Sequence, residues 1–355
     1  MTVAVLNRDG EGSEPSFRRL VFVKFAFARL GVFALTLFGL LVVTFVVGRV
    51  LPVDPALAIA GDRAQPAAYE AIRQRLHLDD PVIVQFGHYL AGALRGDLGN
   101  SVLSSKPVLS DIAHFFPATI ELATLATLIG VLSGLPLGVF AAVKHGHWQD
   151  HLVRIVALAG FSVPVFWLGL VGLIVFYGRL DWVGGPGRID IAYQYSIPDV
   201  TGLLLADTLL AGNVDAFRNA VAHIVLPAAV LGYHSMAYIC RISRTVVIAE
   251  LSQEYIVTAM AKGLSRWRII WRHALANGAA PILTTVLLSY AYLLEGAVLT
   301  ETVFSWPGIG LYLTQSLFSA DLNAVLGATL VIGACFILLN TLADSLAPLL
   351  DPRAR

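Results

Sequence analysis

"TAMAKGLSRWRIIWRHAL", residues 258–275, gathers three arginines and one lysine in a chain that is otherwise mostly apolar. Of the 355 residues, 57% are hydrophobic and only 14% charged, and mean hydropathy is +0.74. Soluble domains carry about 25% charged residues. A soluble core has no room for this much apolar surface, so the chain needs lipid. The quoted stretch is then a polar island between membrane spans, and its placement decides how the spans are threaded.

A spanning helix needs about 20 largely apolar residues. Six stretches meet or approach that length: 30–48, 122–143, 155–177, 224–240, 281–299 and 325–343. The fourth is the shortest and carries Pro227 and His234. "TGLLLADTLL", 201–210, is apolar but only about half a bilayer long, so it reads as a surface or interfacial helix. Ala56-Leu57-Ala58 follows the first span like a cleavage site. The preceding apolar run is too long for a signal peptide and five more spans follow, so the first span is expected to be retained. The expected fold class is an all-α polytopic membrane protein with six transmembrane helices.

Orientation follows from the basic residues. With the amino terminus in the cytoplasm, the inside segments hold fifteen of the 24 Lys and Arg, and the other nine lie in much longer outside segments. The positive-inside rule then places both termini and residues 258–275 in the cytosol. The expected organisation is a cytoplasmic extension over 1–29 and a first span with an extracytoplasmic region over 30–117. A transmembrane core follows over 118–347, containing a cytoplasmic loop at 241–279, and a cytoplasmic tail closes the chain over 348–355. The polar start of the extension reads as disordered, and "FRRLVFVKFAF", 17–27, as a segment lying on the membrane surface.

Within the loop, Ser252 is placed to cap a helix running to Lys262, with Gly263 at the left-handed stop position. Ser265 is placed to cap a second helix. There Trp267, Ile270, Trp271, Ala274 and Leu275 recur at i, i+3, i+4, i+7 and i+8, one helical face, and Arg266, Arg268 and Arg272 point elsewhere. A positive-inside anchor with an interfacial helix accounts for the arginines and tryptophans. It does not account for small residues, Ala259 and Gly263, beside a helix break, a shape suited to close docking of another protein.

Other residues bear on chemistry. The zero formal net charge gives no sign of a nucleic-acid partner. Cys240 and Cys335 fall in apolar runs and read as small buried hydrophobes. "KHGHWQDH" offers His145, His147 and His151, but positions i, i+2 and i+6 do not converge on one helix face, so it reads as a solvated loop with no metal. Glu121 and Glu295 lie at or within spans, where ionisable groups are functional suspects. Glu121 is expected to reach headgroups or cap a helix after Pro117, and Glu295 to face a pore or a partner subunit. "WPGIG", 306–310, is either a tight outside turn or an irregular segment folding back towards a pore mouth.

"EYIVTAMAKGLSRWRIIWRHALANGAAPIL" resembles the cytoplasmic coupling loop of ABC importer permeases, in the version typical of the dipeptide/oligopeptide/nickel family. "LDDPVIVQF…LRGDLGNSV", "FFPATIELA", "ETVFSWPGIG" and the terminal Asn340, Asp344 and Asp351-Pro352-Arg353 are similar to further signatures of that family, in the same order and spacing. The resemblance implies a type I ABC importer permease fold, with one extra helix ahead of a five-helix core, in the bacterial inner membrane. It implies a second, distinct permease chain, two cytoplasmic ABC ATPases that bind ATP and Mg, and an extracytoplasmic solute-binding protein. This chain itself would bind no cofactor and no metal. Thr258, Ala259, Ala261, Lys262, Gly263, Leu264 and Ser265 would form the ATPase-coupling segment. Glu295, Glu301, Pro307, Gly308 and Gly310 become candidates for a pore or gate, and no residue is expected to be catalytic.

The match has departures. Val257 stands where the generic motif has Glu and this family often has Arg, and Met260 where Arg is common. "LPVDP", 51–55, replaces the usual Pro-Gly-Asp-Pro, Ala320-Asp321 lacks a preceding Arg, and Ala347-Pro348 stands where a Tyr usually begins the region. The family handles di- and oligopeptides, with branches for nickel, glutathione and some glycosides, and much of that selectivity resides in the binding protein.

Three functions are distinguishable in the residues. A permease subunit moved by partner ATPases needs the docking loop. A self-sufficient secondary transporter needs a mid-membrane acidic relay and paired discontinuous helices, and no internal repeat is visible. A membrane enzyme needs a nucleophile–base or metal constellation. No HExxH, GxSxG or GxxxxGK[ST] motif occurs, so the expectation is a permease whose ATPase is another chain.

Overall fold

The computed structural model describes residues 14–50, 56–57, 65–75 and 78–350. Apart from one isolated bridge between Asn100 and Pro107, the regular elements among them are helices. The first, α1 (Glu14–Val50), is continuous, so 17–27 does not form a separate surface helix but extends the first span. Helices α2 (Pro66–Arg75) and α3 (Val82–Leu94) follow. The polar residues 1–13, "LPVDP" at 51–55 and the terminal Asp351-Pro352-Arg353 lie outside the described residues.

The long α4 (Val108–Val143) carries Pro117 and Pro136 inside it. The span expected at 122–143 therefore begins about four turns earlier, and Pro117 does not precede the helix. Its partner α8 (Val214–Leu251) has 38 residues, with Pro227 inside. At 1.5 Å per residue such a helix is about 57 Å long, well beyond a hydrocarbon core of about 30 Å. The fourth span, expected to be the shortest, is thus the longest element. The loop expected to open at 241 is helical up to Leu251, so Arg241 and Arg244 sit on the spanning helix itself.

These two helices touch along their backbones. Gly130, Gly134 and Gly138 recur every fourth residue on α4. A Cβ on Gly134 would stand 2.7 Å from the Met236 carbonyl oxygen, and one on Gly138 2.6 Å from that of Cys240. In lipid, where apolar side chains gain little by leaving solvent, such close approach is a main source of helix association. Ser235 of α8 shares a 2.8 Å hydroxyl hydrogen bond with Ser289 of α11 (Ala279–Val303), both buried.

The span expected at 155–177 is not straight. Helix α5 (Trp148–Ser162) and the following pair, α6 (Val165–Gly172) and the π-helical Leu173–Tyr177, meet at 96°. Pro164 cannot donate a hydrogen bond and pushes the preceding residue out of the helical region, and Val163 is extended at φ −91, ψ 127. Among the described residues, five helices are long and apolar enough to cross a membrane, and six if the bent pair counts as one. The segment expected to be interfacial forms α7 (Leu204–Leu210), ahead of α8. Beyond α8 come α9 (Glu254–Ala261) and α10 (Arg266–Arg268), which runs on through π-helical Ile269–Ala274 to Leu275–Asn277. After α11, the short α12 (Ile309–Phe318) and α13 (Leu322–Leu350) close the bundle.

Candidate functional site

The loop between α8 and α11 is a packed unit. Ser252 is the C-cap of α8, its hydroxyl donating back to the Ala249 carbonyl, and Gln253 precedes α9 without a side-chain cap. The expected Ser252 N-cap is thus displaced by α8 running longer than its apolar run. Gly263 does occupy the left-handed region, at φ +76, where a non-glycine residue is strained. The N–H groups of Lys262, Gly263 and Leu264 close back onto Thr258, Met260 and Ala259. Ser265 caps the next helix, accepting from the Arg268 N–H at 3.5 Å.

The faces differ from those expected. Ala259 is 6% exposed and packs with Ile256, Ile269 and Ala274, with Leu251, Tyr255 and Leu264 around them. It serves the loop's own core. Exposed instead are Val257, Thr258, Met260, Ala261, Lys262, Gly263 and Ser265, while Leu264 is half-buried. The π-helical stretch also breaks the expected α10 stripe. A π turn adds a residue per turn, so Ile269 and Ala274, five apart, are buried together, while Trp267 is 70% exposed and pairs with Trp271 at 5.1 Å.

The loop is fixed to the bundle. Leu251, Ile270 and Leu275 pack on a small cluster of Val139, Ala142 and Val247, which joins the loop to the ends of α4 and α8. Beside it, buried Asp150 accepts from Arg244 Nε at 2.6 Å and from the second guanidinium nitrogen at 2.8 Å. His145 is 62% exposed and lies 3.4 Å from Asp150 and 3.1 Å from Arg244, so the exposed "KHGHWQDH" segment is anchored to this pair at one residue. Among the described residues no group of three or more His, Cys, Asp or Glu side chains is placed to hold a metal.

At the opposite end of the spans, "WPGIG" is a wedge. Trp306, 1% exposed, donates its indole N–H to the Ala118 carbonyl at 3.0 Å. Fully buried Glu301 accepts from the Thr119 hydroxyl at 2.6 Å and the Leu311 N–H at 3.0 Å, capping the start of α12. Gly308 lies so close to Glu301 and Thr119 that a Cβ would collide with both, and one on Gly310 would meet Val298 at 2.6 Å. Glu301, Gly308 and Gly310 therefore sit inside the chain's own packing, with Pro307 half-buried beside them.

Glu121 is 7% exposed and accepts from Arg188 at 2.5 Å and from the Leu205 N–H, at the start of α7, at 2.8 Å, so it is held within the chain's own packing. Asp207, just beyond it in α7, is buried; burial raises its carboxyl, but the Thr201 hydroxyl and the N–H groups of Thr201, Val200 and Gly202 hold it below its ordinary value. Asp321, also fully buried, caps α13 and accepts from the Ser101 hydroxyl and the Val102 N–H at 2.6 and 2.7 Å. No sequence pattern singled out Asp150 or Asp207, and Asp321 stood out only as a family position without the usual preceding Arg. The glycine stripe at four-residue spacing was, by contrast, readable.

Within the spans a cavity of about 440 Å³ lies beside the Val163-Pro164 bend, with His234, Tyr238, Ser289, Tyr292 and Gly296 among its lining residues. Glu295 is exposed on α11 next to Gly296, outside that lining. The cavity supplies hydroxyl and imidazole groups on an apolar frame, suited to a small polar solute. It does not assemble a nucleophile with a base.

Two family models match, "Binding-protein-dependent transport system inner membrane component" over residues 134–355 and its amino-terminal companion over 22–123. The chain is similar to the probable D,D-dipeptide transport system permease protein DdpB of Escherichia coli (strain K12), 44% identical over 89% of this chain and 92% of the relative. It is 40% identical to the di/tripeptide transport system permease protein DppB of Pseudomonas aeruginosa (strain UCBPP-PA14), over 94% and 99% of the two. A solved chain of the MetNI methionine ABC transporter aligns with a TM-score of 0.49 and 15% identity, over 66% of this chain and 93% of that one. With family and relative matches of this extent, the chain belongs to the inner-membrane permeases of binding-protein-dependent transport systems, and its long apolar helices accord with that membership.

Proposed function

We propose that this permease forms half of a peptide-translocating pathway and that residues 254–265 couple it to a partner ATPase. Relatives named for di- and tripeptides support a short peptide as the solute. Both termini and the 252–278 loop face the cytoplasm, in keeping with the distribution of basic residues. A second permease chain completes the pathway, two ATPases bind ATP and Mg, and a solute-binding protein delivers the solute from outside.

The observation that carries this reading is the division of α9. One side, Ile256 and Ala259, locks the loop to its own core, and the other leaves Val257, Met260 and Ala261 exposed on a helix held rigidly at the end of α4 and α8. An apolar knob fixed to two spans is a mechanical link between a partner and those spans. Approach of the ATPases moves the knob, the knob moves the span ends, and the cavity beside the bend changes the side to which it opens. The departures at Val257 and Met260 make this contact apolar where charges are usual in the family.

The test is Val257→Glu with Met260→Glu. Burying an unpaired carboxylate at an interface costs several kcal/mol, and a loss of about 3 kcal/mol weakens docking roughly 100-fold. Membrane insertion should be normal, with transport and solute-stimulated ATP hydrolysis lost. Normal transport by the double variant would remove the coupling assignment. Ala259→Glu would not separate docking from folding, because Ala259 is buried in the loop's own packing. The chain purified alone should not hydrolyse ATP, and hydrolysis surviving removal of contaminating ATPases contradicts the permease-only role. A cysteine at Ala67 should label only from outside and one at Lys262 only from the cytosol; reversed labelling overturns the orientation.

A further inference from the structure

A second cavity, of about 350 Å³, lies between α5 and α8 at the end of the spans that carries the 252–278 loop. Four basic side chains line it: His151, Arg154, Arg241 and Arg244. Arg244 is neutralised by Asp150, which lies behind the cavity and is 1% exposed. Arg241 is exposed and is held over the Phe161 ring at 4.9 Å and the Tyr238 ring at 5.9 Å. Arg154 is exposed on α5, one turn beyond Asp150, and no carboxylate lines the cavity with these arginines. The remaining wall is apolar, from Ile155, Leu158 and Phe161 on α5 to Cys240 on α8, and Ile155 and Leu158 are 64% and 65% exposed.

Depth fixes what fits there. Trp148, 70% exposed, opens α5, and an exposed tryptophan at a span end marks the membrane–water interface. Arg154 lies six residues further in, about 9 Å along the helix, within reach of headgroups for a snorkelling side chain. A soluble anion would leave water-exposed Ile155 and Leu158 unsatisfied. A molecule with a phosphate at one end and a hydrocarbon chain at the other satisfies both parts, and basic pockets between transmembrane helices at the headgroup level favour anionic lipid.

We propose that this cavity is a binding site for one anionic phospholipid, its phosphate held by Arg154 and Arg241 and its acyl chain lying along Ile155 and Leu158. The lipid would lie against α5, whose bend borders the larger cavity, and Phe161 lines both cavities. Occupancy would thereby bear on the position of that bend. The inference rests on the proposed orientation only for which leaflet supplies the lipid.

The test is native mass spectrometry of the assembled importer, delipidated in detergent and titrated with phosphatidylglycerol or with phosphatidylcholine of the same acyl chains. This reads binding without regard to sidedness, so its failure is distinct from a failure of the orientation. Phosphatidylglycerol should be retained selectively, and Arg154→Gln with Arg241→Gln should weaken it roughly 30-fold, from the loss of two basic contacts. Arg179→Gln with Arg218→Gln, at the other end of the spans, should leave retention unchanged. Equal retention of the two lipids by the unaltered protein overturns the proposal and needs no variant to fold. So does displacement of phosphatidylglycerol by an equal concentration of glycerol 3-phosphate, which would make this a soluble-anion site. A photocrosslinker at Leu158 should capture lipid; capture of the second permease chain instead would show the cavity to be a subunit contact and overturn it as well.

Discussion

Asp150 and Arg244, 94 residues apart in sequence, meet through two hydrogen bonds of 2.6 and 2.8 Å with the carboxylate 1% exposed and the guanidinium 18% exposed. The pair ties the first turn of α5 to α8, seven residues before α8 ends at the 252–278 loop. On the proposed coupling, a displacement of the loop that reaches α8 would be passed through this pair to the start of the bent span.

Breaking this pair from one side should be costly. Asp150→Ala leaves a largely buried guanidinium without its partner, a loss of roughly 3–5 kcal/mol for a fully buried pair and less here, where Arg244 keeps some solvent. The variant should show a markedly lower thermal midpoint in detergent. Asp150→Leu combined with Arg244→Met should recover most of the stability but not coupled transport. An unshifted midpoint in Asp150→Ala contradicts the structural role of the pair.

Gly134→Ala should separate α4 from α8. The added methyl meets a backbone carbonyl at 2.7 Å, which cannot swing aside as a side chain would. Gly39→Ala on the first span meets nothing within 4 Å and gains helix propensity of about 1 kcal/mol. Membrane accumulation of the folded chain, read by fluorescence size-exclusion, should drop for the first and hold for the second. Equal behaviour would refute backbone contact as the basis of the α4–α8 pair.

Glu301→Gln should loosen α12. The carboxylate uses one oxygen for the Thr119 hydroxyl and the other for the Leu311 N–H, and an amide presents a donor to one of these donors. A loss of about 1–3 kcal/mol follows from the unmatched group, seen as a lower thermal midpoint. Glu295→Gln, at an exposed position on α11, should leave the midpoint unchanged and is the variant to test for a transport defect. If Glu301→Gln melts with the unaltered protein, the capping account fails.

The 200–207 turn should be acid-sensitive. Asp207 is held below its ordinary value by hydrogen bonds that outweigh its burial. A carboxyl with a lowered folded value contributes stability above its unfolded value, about 3.9, and loses it as pH falls through the lower folded value. Pepsin should therefore leave this turn intact at pH 4.5 and cut it progressively below about pH 4. Asp207→Asn should be cut already at pH 4.5. Resistance of the variant at that pH would show that the charge does not hold the turn.

Much of this was legible beforehand because it is local. Five of the six apolar runs became helices that include them, and Gly263 and Ser265 took the backbone roles that their chemistry favours. The family followed from motif order. Helix ends were misjudged where polar residues continue a helix beyond the apolar run, as from Arg241 to Leu251. The bend was readable in principle at Pro164, since the residue before a proline leaves the helical region.

The sequence by itself determined that this chain lives in a membrane, where its spans lie, and that one polar loop carries a helix–glycine–helix break. Hydropathy and capping act over a few residues, so one dimension suffices for them. Only the tertiary structure decided that Ala259 faces inward while Val257 and Met260 face out, because a π-helical register shift in the next helix sets what packs against α9. It alone joined Asp150 to Arg244, Thr119 to Glu301 and Ser101 to Asp321, across 94, 182 and 220 residues. A buried charge must be matched by some donor, but which donor is a matter of packing, and packing has no period in the chain.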